Sequence, residues 1–300
     1  MKIGSLALKL IVAYLKRGDK KPRKDWPKDG DFECKCDIDA LGDGCFDHQF
    51  DIVYAPKEKR LGRTLVDIHG GAYIYSYRKN NFGFASVFAA QGYDVVLLDY
   101  PHNNKKHGVH GQIRVLAKQL AFLAEHASEY GLEGNEFGLI GDSAGGHMAL
   151  LLAEASCDKE LEQKLGIDLK GIRFVGIAVS SPVYDFLAAV NAPVMSNSGR
   201  KMMFGPDYRN REAMALLSPK EHIDSLGLPV FLNSCKHDFI GEHSFDMHRD
   251  LTERNHPLEW CFIDAEDKNV DHVHNVTKIT LPESIQVNNG IMAFFDPLFH

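Results

Sequence analysis

Apolar residues along this chain follow two alternating rhythms. Short continuous apolar runs at residues 64–68, 93–98, 137–140, 172–179, 229–233 and 258–263 have the length of strands buried on both faces. Between them, residues 82–91, 111–130, 143–155, 242–254 and 284–295 read as helices. In the second of these, Ile113, Leu116, Leu120 and Leu123 fall on one helical face. Two β-rich runs, 32–41 and 46–54, flank Gly42, Asp43 and Gly44, a turn signal that predicts a hairpin. The alternation predicts an α/β protein: a three-layer α/β/α sandwich around a mostly parallel sheet, with the hairpin antiparallel at one edge.

Residues 181–226 break the pattern. They are too long for a plain connection and are expected to carry helices of their own. An insertion at the carboxyl ends of strands reads as a cap over a ligand site, with an inert insertion as the alternative. At the N-terminus, Leu6, Leu10 and Ala13 with Tyr14 recur at helical spacing and predict an amphipathic helix. The apolar start has the look of an export signal, but Lys9 interrupts it and no small-x-small cleavage site follows. The organisation expected is a single domain over residues 1–300, with a helical cap drawn from about 1–30 and 182–226.

Composition narrows the class. The 300 residues carry a net charge of -7, which leaves no basic footprint for nucleic acid. The basic run at 17–28 is interrupted by Asp19, Asp25 and prolines, so it reads as a solvated segment, with a membrane-surface patch as the lesser alternative. No apolar window approaches the roughly twenty residues of a membrane span, and a cytoplasmic location is expected. The six cysteines read as buried free thiols, with Cys34 and Cys36 packing on one side of a strand.

The strongest chemical signal is Gly141-Asp142-Ser143-Ala144-Gly145, directly after an apolar strand and directly before a helical run. That context makes Gly-x-Ser-x-Gly a nucleophile elbow, with the serine hydroxyl held at the end of the sheet. The Ala144 N–H, in the first turn of the helix, would face developing negative charge. A second signal, His69-Gly70-Gly71-Ala72-Tyr73, follows strand 64–68. Its adjacent glycines leave backbone N–H groups unshielded, so Gly70 and Gly71 are expected to complete an oxyanion hole with Ala144. His69 is expected to hold this loop by hydrogen bonding.

These motifs resemble those of the α/β-hydrolase superfamily, in particular the esterases and lipases with a His-Gly-Gly motif, similar to hormone-sensitive lipase. The resemblance covers the chain from about residue 32 onward. It implies hydrolysis of carboxylic esters, with short acyl groups or small lipid-like or acetylated substrates, through an acyl-enzyme and without metal or cofactor. It also implies a cap from the N-terminal segment and the insertion. The triad order of such enzymes puts an acid after the next-to-last strand and a histidine after the last. Asp238 is the acid expected, with Glu242 as its nearest rival. The family often carries His-x-Phe-Asn-Val after the last strand, and here the sequence is His272-Val273-His274-Asn275-Val276. His272 matches the base, and His274 stays open as an alternative. A metal held by His272 and His274 is a weaker reading, since no further ligand joins them at suitable spacing.

Ala72 stands where the family has a third glycine, and the stretch from Asp99 through Tyr100, Pro101, His102 and Asn103 to Asn104 begins like the family and then diverges. His102, His107 and His110 read as solvated loop residues, with contact to substrate as the lesser alternative. Tyr73, Tyr75, Tyr77, Met195, Met202, Met203 and Phe204 would either line the cleft or pack the cap. A small-molecule ester is the expected ligand. A catalytically weak ligand-binding role is the alternative from another class; a peptidase, thioesterase or sugar-ester deacetylase would use the same acyl transfer. Homo-oligomerisation is left open.

Overall fold

The computed structural model describes residues 2–19, 26–27, 30–103, 108–133 and 135–300. Most of the basic run at 17–28, with Asn104 and His107, lies outside the described residues. The chain opens with α1 (Ser5–Asp19) and the edge strands β1 (Cys34–Asp39) and β2 (Gln49–Val53). There follow β3 (Arg63–Ile68), α2 (Phe82–Ala89), β4 (Tyr93–Leu98), α3 (Val109–His126) and β5 (Glu136–Asp142). Then come α4 (Ser143–Cys157), α5 (Lys159–Leu165) and β6 (Arg173–Ser180). The connection after β6 carries α6 (Phe186–Asn191), α7 (Asn197–Phe204) and α8 (Arg211–Leu216). The last elements are β7 (Val230–Cys235), α9 (Gly241–Glu253), β8 (Leu258–Ile263), the single turn α10 (His274–Thr277) and α11 (Pro282–Phe295).

The eight strands form one sheet in the order β1-β2-β4-β3-β5-β6-β7-β8. β1 and β2 are antiparallel to each other, and β2 is antiparallel to β4; every other pairing is parallel. Strand side chains alternate between two cores, as the pleat requires. Val66, Ile68, Leu139 and Val179 join the core beneath α3 and α4, while Leu65, Ile140 and Ala178 join the core beneath α2 and α11. This is the three-layer α/β/α architecture expected of alternating strands and helices. Register aligns the strand ends: Ile68 pairs with Gly141, Asp142 with Ser180, and Ser180 with Asn233. The loops after β3, β5, β6 and β7 therefore emerge side by side, which is where such sheets bind ligands.

The insertion does carry its own helices. α1 lies along α7, tied by Ile3 N–H to Val194 O at 2.8 Å and Ser196 N–H to Ile3 O at 2.9 Å. Leu8 packs with Ile74 and Met195. The insertion is joined to α4 by His147, whose Nε2 meets Leu217 O at 2.6 Å and whose ring stacks on Phe186 at 4.6 Å.

Two expectations are corrected. Of the six cysteines only Cys235 is buried, and Cys34, Cys36 and Cys157 are exposed. Edge strand β1 is solvated along most of its length and its register shifts between Lys35 and Ile38, where Asp37 takes φ 58°, so Cys34 and Cys36 stand at the surface and not in a core. His102 and His110 are not solvated loop residues. Their Nε2 atoms meet Ser76 O at 2.5 Å and Leu165 O at 2.7 Å, so each braces a turn.

Candidate active site

β5 ends in Asp142 and α4 begins at Ser143, with no residue between them. So abrupt a turn places Ser143 at φ 52°, a left-handed conformation costly for a residue with a Cβ. The close crossing explains Gly145, where a Cβ would sit 1.9 Å from Ile68 O. The same kind of backbone strain recurs at Ala72, Tyr73, Ser181 and Val273, all in loops at this end of the sheet. Such residues typically cost about 1–3 kcal/mol each and collect at functional sites.

Ser143 Oγ lies 2.9 Å from His272 Nε2, and His272 Nδ1 lies 2.7 Å from Asp238 Oδ1. The loops that carry Asp238 and His272 are themselves joined by a backbone bridge between His237 and Asp271, one residue before each side chain. Asp238 also accepts from the Ile240 N–H at 3.0 Å and from Ser234 Oγ at 3.1 Å, and its side chain is fully buried. Burial pushes this carboxyl up, but the hydrogen bond and charge of His272, with the Ser181 hydroxyl and the Ile240 N–H, outweigh it and hold the group below the ordinary carboxylate value. Asp238 is thus an ionised acceptor aimed at an imidazole. The Phe239 ring, 80% exposed, stands 4.5 Å from the His272 ring.

The two histidines of the last loop part company at Val273, which takes φ 52°. His274 is buried and turned to α11, its Nδ1 at 2.9 Å from Ser284 Oγ. It is not in the line with Ser143. Glu242 sits in the first turn of α9, where an acid suits the helix dipole.

The loop after β3 departs from expectation at Gly70. Its N–H donates to Asp142 Oδ1 at 2.9 Å and is already paired. This corrects the reading of Gly70 as an open donor: the carboxylate beside the elbow takes it. The N–H groups of Gly71 and Ala72 have no partner among the described residues. Ala144 lies in the first turn of α4, where N–H groups have no intrahelical acceptor. Gly71 is at φ 123°, and a Cβ there would lie 2.0 Å from Tyr75 O, so only glycine fits. His69 braces this loop, its Nε2 at 3.1 Å from Asp99 and its ring stacked on Tyr100 at 4.2 Å. Asp99 is in turn held at 2.8 Å by the buried guanidinium of Arg78.

Sequence motifs gave no sign of Asn81, Asp67, Ser181 or Ser234. Asn81 Nδ2 donates to Asp67 Oδ2 at 2.9 Å and to Asp142 Oδ1 at 3.2 Å, all three side chains being buried. Tyr73 and Phe204 are buried in the main core, and Met195, Met202 and Met203 pack against α1, so these residues serve packing. A cavity of about 630 Å³ lies within the insertion, lined among others by Arg200, Tyr208 and Arg209; Ser143, Asp238 and His272 do not line it. On the edge hairpin, Asp43, Cys45 and His48 bring ligand-type atoms within 4.8 Å of one another, and Asp43 is already paired with His48 at 2.7 Å.

The chain and its fold have known counterparts. The chain matches the family model BD-FAE over residues 50–247, well over half its length. It is 26% identical over 181 residues to the Probable carboxylic ester hydrolase LipM of Mycobacterium tuberculosis, a match covering 59% of this chain and 41% of that protein, so less than half of that relative's length is spanned. Among solved structures, esterase B from Lactobacillus rhamnosis superposes with a TM-score of 0.88 at 23% identity, covering 98% of this chain and 96% of the other. A bacterial heroin esterase gives a TM-score of 0.72 at 16% identity, covering 100% and 95%. EstE5 gives 0.69 at 18% identity, covering 97% and 91%. At these identities the structural likeness establishes the α/β-hydrolase fold, and the sequence match completes the assignment: the chain belongs to the BD-FAE family.

Proposed function

We propose that this protein is a serine hydrolase that cleaves carboxylic esters, with Ser143 as nucleophile, His272 as general base and acid, and Asp238 as the residue that orients His272. The observation that carries this reading is the unbroken line from Ser143 Oγ to His272 Nε2 at 2.9 Å and from His272 Nδ1 to Asp238 Oδ1 at 2.7 Å. The esterase character of the relative and of the structural neighbours supports it.

In the first half-reaction, Ser143 Oγ attacks the ester carbonyl carbon while its proton passes to His272 Nε2. The negative oxygen of the tetrahedral intermediate is stabilised by the N–H groups of Gly71 and Ala144, which are free to donate. Collapse breaks the bond to the alcohol, which leaves with the proton from His272 Nε2, and an acyl-serine remains. Water then gives a proton to the same nitrogen as it attacks the acyl carbon. The carboxylic acid departs, and Ser143 Oγ regains its proton. Asp238 stays ionised throughout and offsets the charge on the imidazolium. The reading takes the substrates to be esters of short acyl groups or small lipid-like molecules, with the cap helices covering the site. An intact proton-transfer line favours turnover over a ligand-binding role.

Hydrolysis of p-nitrophenyl acetate and butyrate by wild type and by Ser143→Ala tests the proposal. Turnover should be lost in the variant. Equal turnover would remove Ser143 from the chemistry.

A further inference from the structure

α1 is seated on the protein along one side only. Leu8 and Val12 pack against Ile74, Met195 and Met202. Leu6, Leu10 and Tyr14, spaced by four, form a stripe directed to solvent, with 71%, 65% and 77% of their surface open. Ile11 and Leu15 widen it. A contiguous apolar patch of this kind marks an interaction surface.

Charge identifies the partner. Lys2, Lys9, Lys16 and Arg17 are exposed, and no acidic residue occurs in residues 1–17. None of these four cations makes an ion pair among the described residues. This local excess stands out in a chain of net charge -7. A second copy of the protein laid on the same helix would bring like charges together. An anionic lipid surface satisfies both the apolar stripe and its cations.

We propose that α1 docks its outer face flat on an anionic lipid surface. Leu6, Leu10 and Tyr14 enter the boundary between headgroups and acyl chains, while the lysines and Arg17 meet the headgroup phosphates. The inner side of α1 touches Ile74, in the loop after β3, so the docked helix lies at the end of the sheet that carries Ser143. Phe239, exposed beside His272, opens at that same end. Docking would present the candidate site to lipid-dissolved molecules. The binding itself does not depend on the hydrolase reading, and Ser143→Ala should bind as wild type does.

Flotation with vesicles tests this, using phosphatidylcholine alone and equal parts of phosphatidylcholine and phosphatidylserine. The full chain should float with the mixed vesicles, stay behind with phosphatidylcholine alone, and detach as salt is raised. Lys9→Glu with Lys16→Glu should weaken partition on the order of tenfold or more. Leu6→Ser with Leu10→Ser and Tyr14→Ser should abolish flotation, while hydrolysis of soluble p-nitrophenyl butyrate keeps the wild-type rate. Absence of flotation with both vesicle types, or equal flotation with both, would overturn the proposal. So would a dimer in analytical ultracentrifugation that the serine substitutions split, since the surface would then belong to a second copy.

Discussion

The Gly70 N–H donates to the carboxylate of Asp142 at 2.9 Å, tying the loop after β3 to the residue that precedes Ser143. The loop after β3 and the turn that carries Ser143 are thereby held as one unit. Asp142→Ala would leave the Gly70 N–H without its acceptor in a dry interior, and Asn81 with only its bond to Asp67, a loss of about 1–3 kcal/mol. The Gly71 donor would shift with the loop, and rates typically fall about a hundredfold when such a donor is lost. Asp142→Asn, which keeps an acceptor oxygen, should be milder on both counts. Urea unfolding and kcat/KM for p-nitrophenyl butyrate, measured on both variants, check the pairing; an Asp142→Ala protein with wild-type values would exclude it.

Asp67 introduces a pH dependence. Burial first, and the charge of Asp142 second, push its carboxyl up to about 8. In the unfolded chain it titrates near the ordinary value of about 3.9. Between those values the native protein holds a proton that the unfolded chain has released, so stability falls as pH rises through this window, by at most about 1.4 kcal/mol per pH unit. Asp67→Asn keeps the shape and cannot ionise. Its stability relative to wild type is expected to grow from about pH 4 to about pH 8. Parallel stability curves for the two proteins would mean that Asp67 ionises normally.

His147 acts in the opposite direction. Burial lowers its pKa to about 4, despite the hydrogen bond to Leu217 O. Below its ordinary value of about 6.5 the unfolded chain takes up a proton that native His147 refuses, so stability drops as pH falls from there toward about 4. Because this imidazole joins α4 to the segment after α8, acid should loosen the insertion. His147→Gln is neutral throughout and should flatten the acid side of the stability curve. An unchanged acid slope in that variant would assign the effect elsewhere.

The layered sheet was legible because both periodicities are written in consecutive residues, and strands 93–98 and 258–263 keep their expected bounds. The elbow was legible for the same reason, as Gly141 to Gly145 lie together on the chain. What the sequence could not show depends on partners far along the chain. Gly70 and Asp142 are separated by 72 positions, and Asn81 reaches Asp142 across 61. His272 and His274 are two residues apart and chemically identical. Only the left-handed backbone at Val273 sends one toward Ser143 and the other toward Ser284. Cys34 and Cys36 misled because an edge strand has the alternation of a buried one without a second layer to cover it, and Cys157 because it is the exposed last residue of α4. α5 and α10 are too short to carry a periodic signal.

The most direct measurement for Ser143 is covalent labelling with a fluorophosphonate, followed by peptide mass spectrometry. One adduct per chain should form, on Ser143, and His272→Ala should slow its formation on the order of a thousandfold or more. A protein that hydrolyses esters while Ser143 stays unlabelled, or that labels equally fast without His272, would contradict the nucleophile and base assigned here.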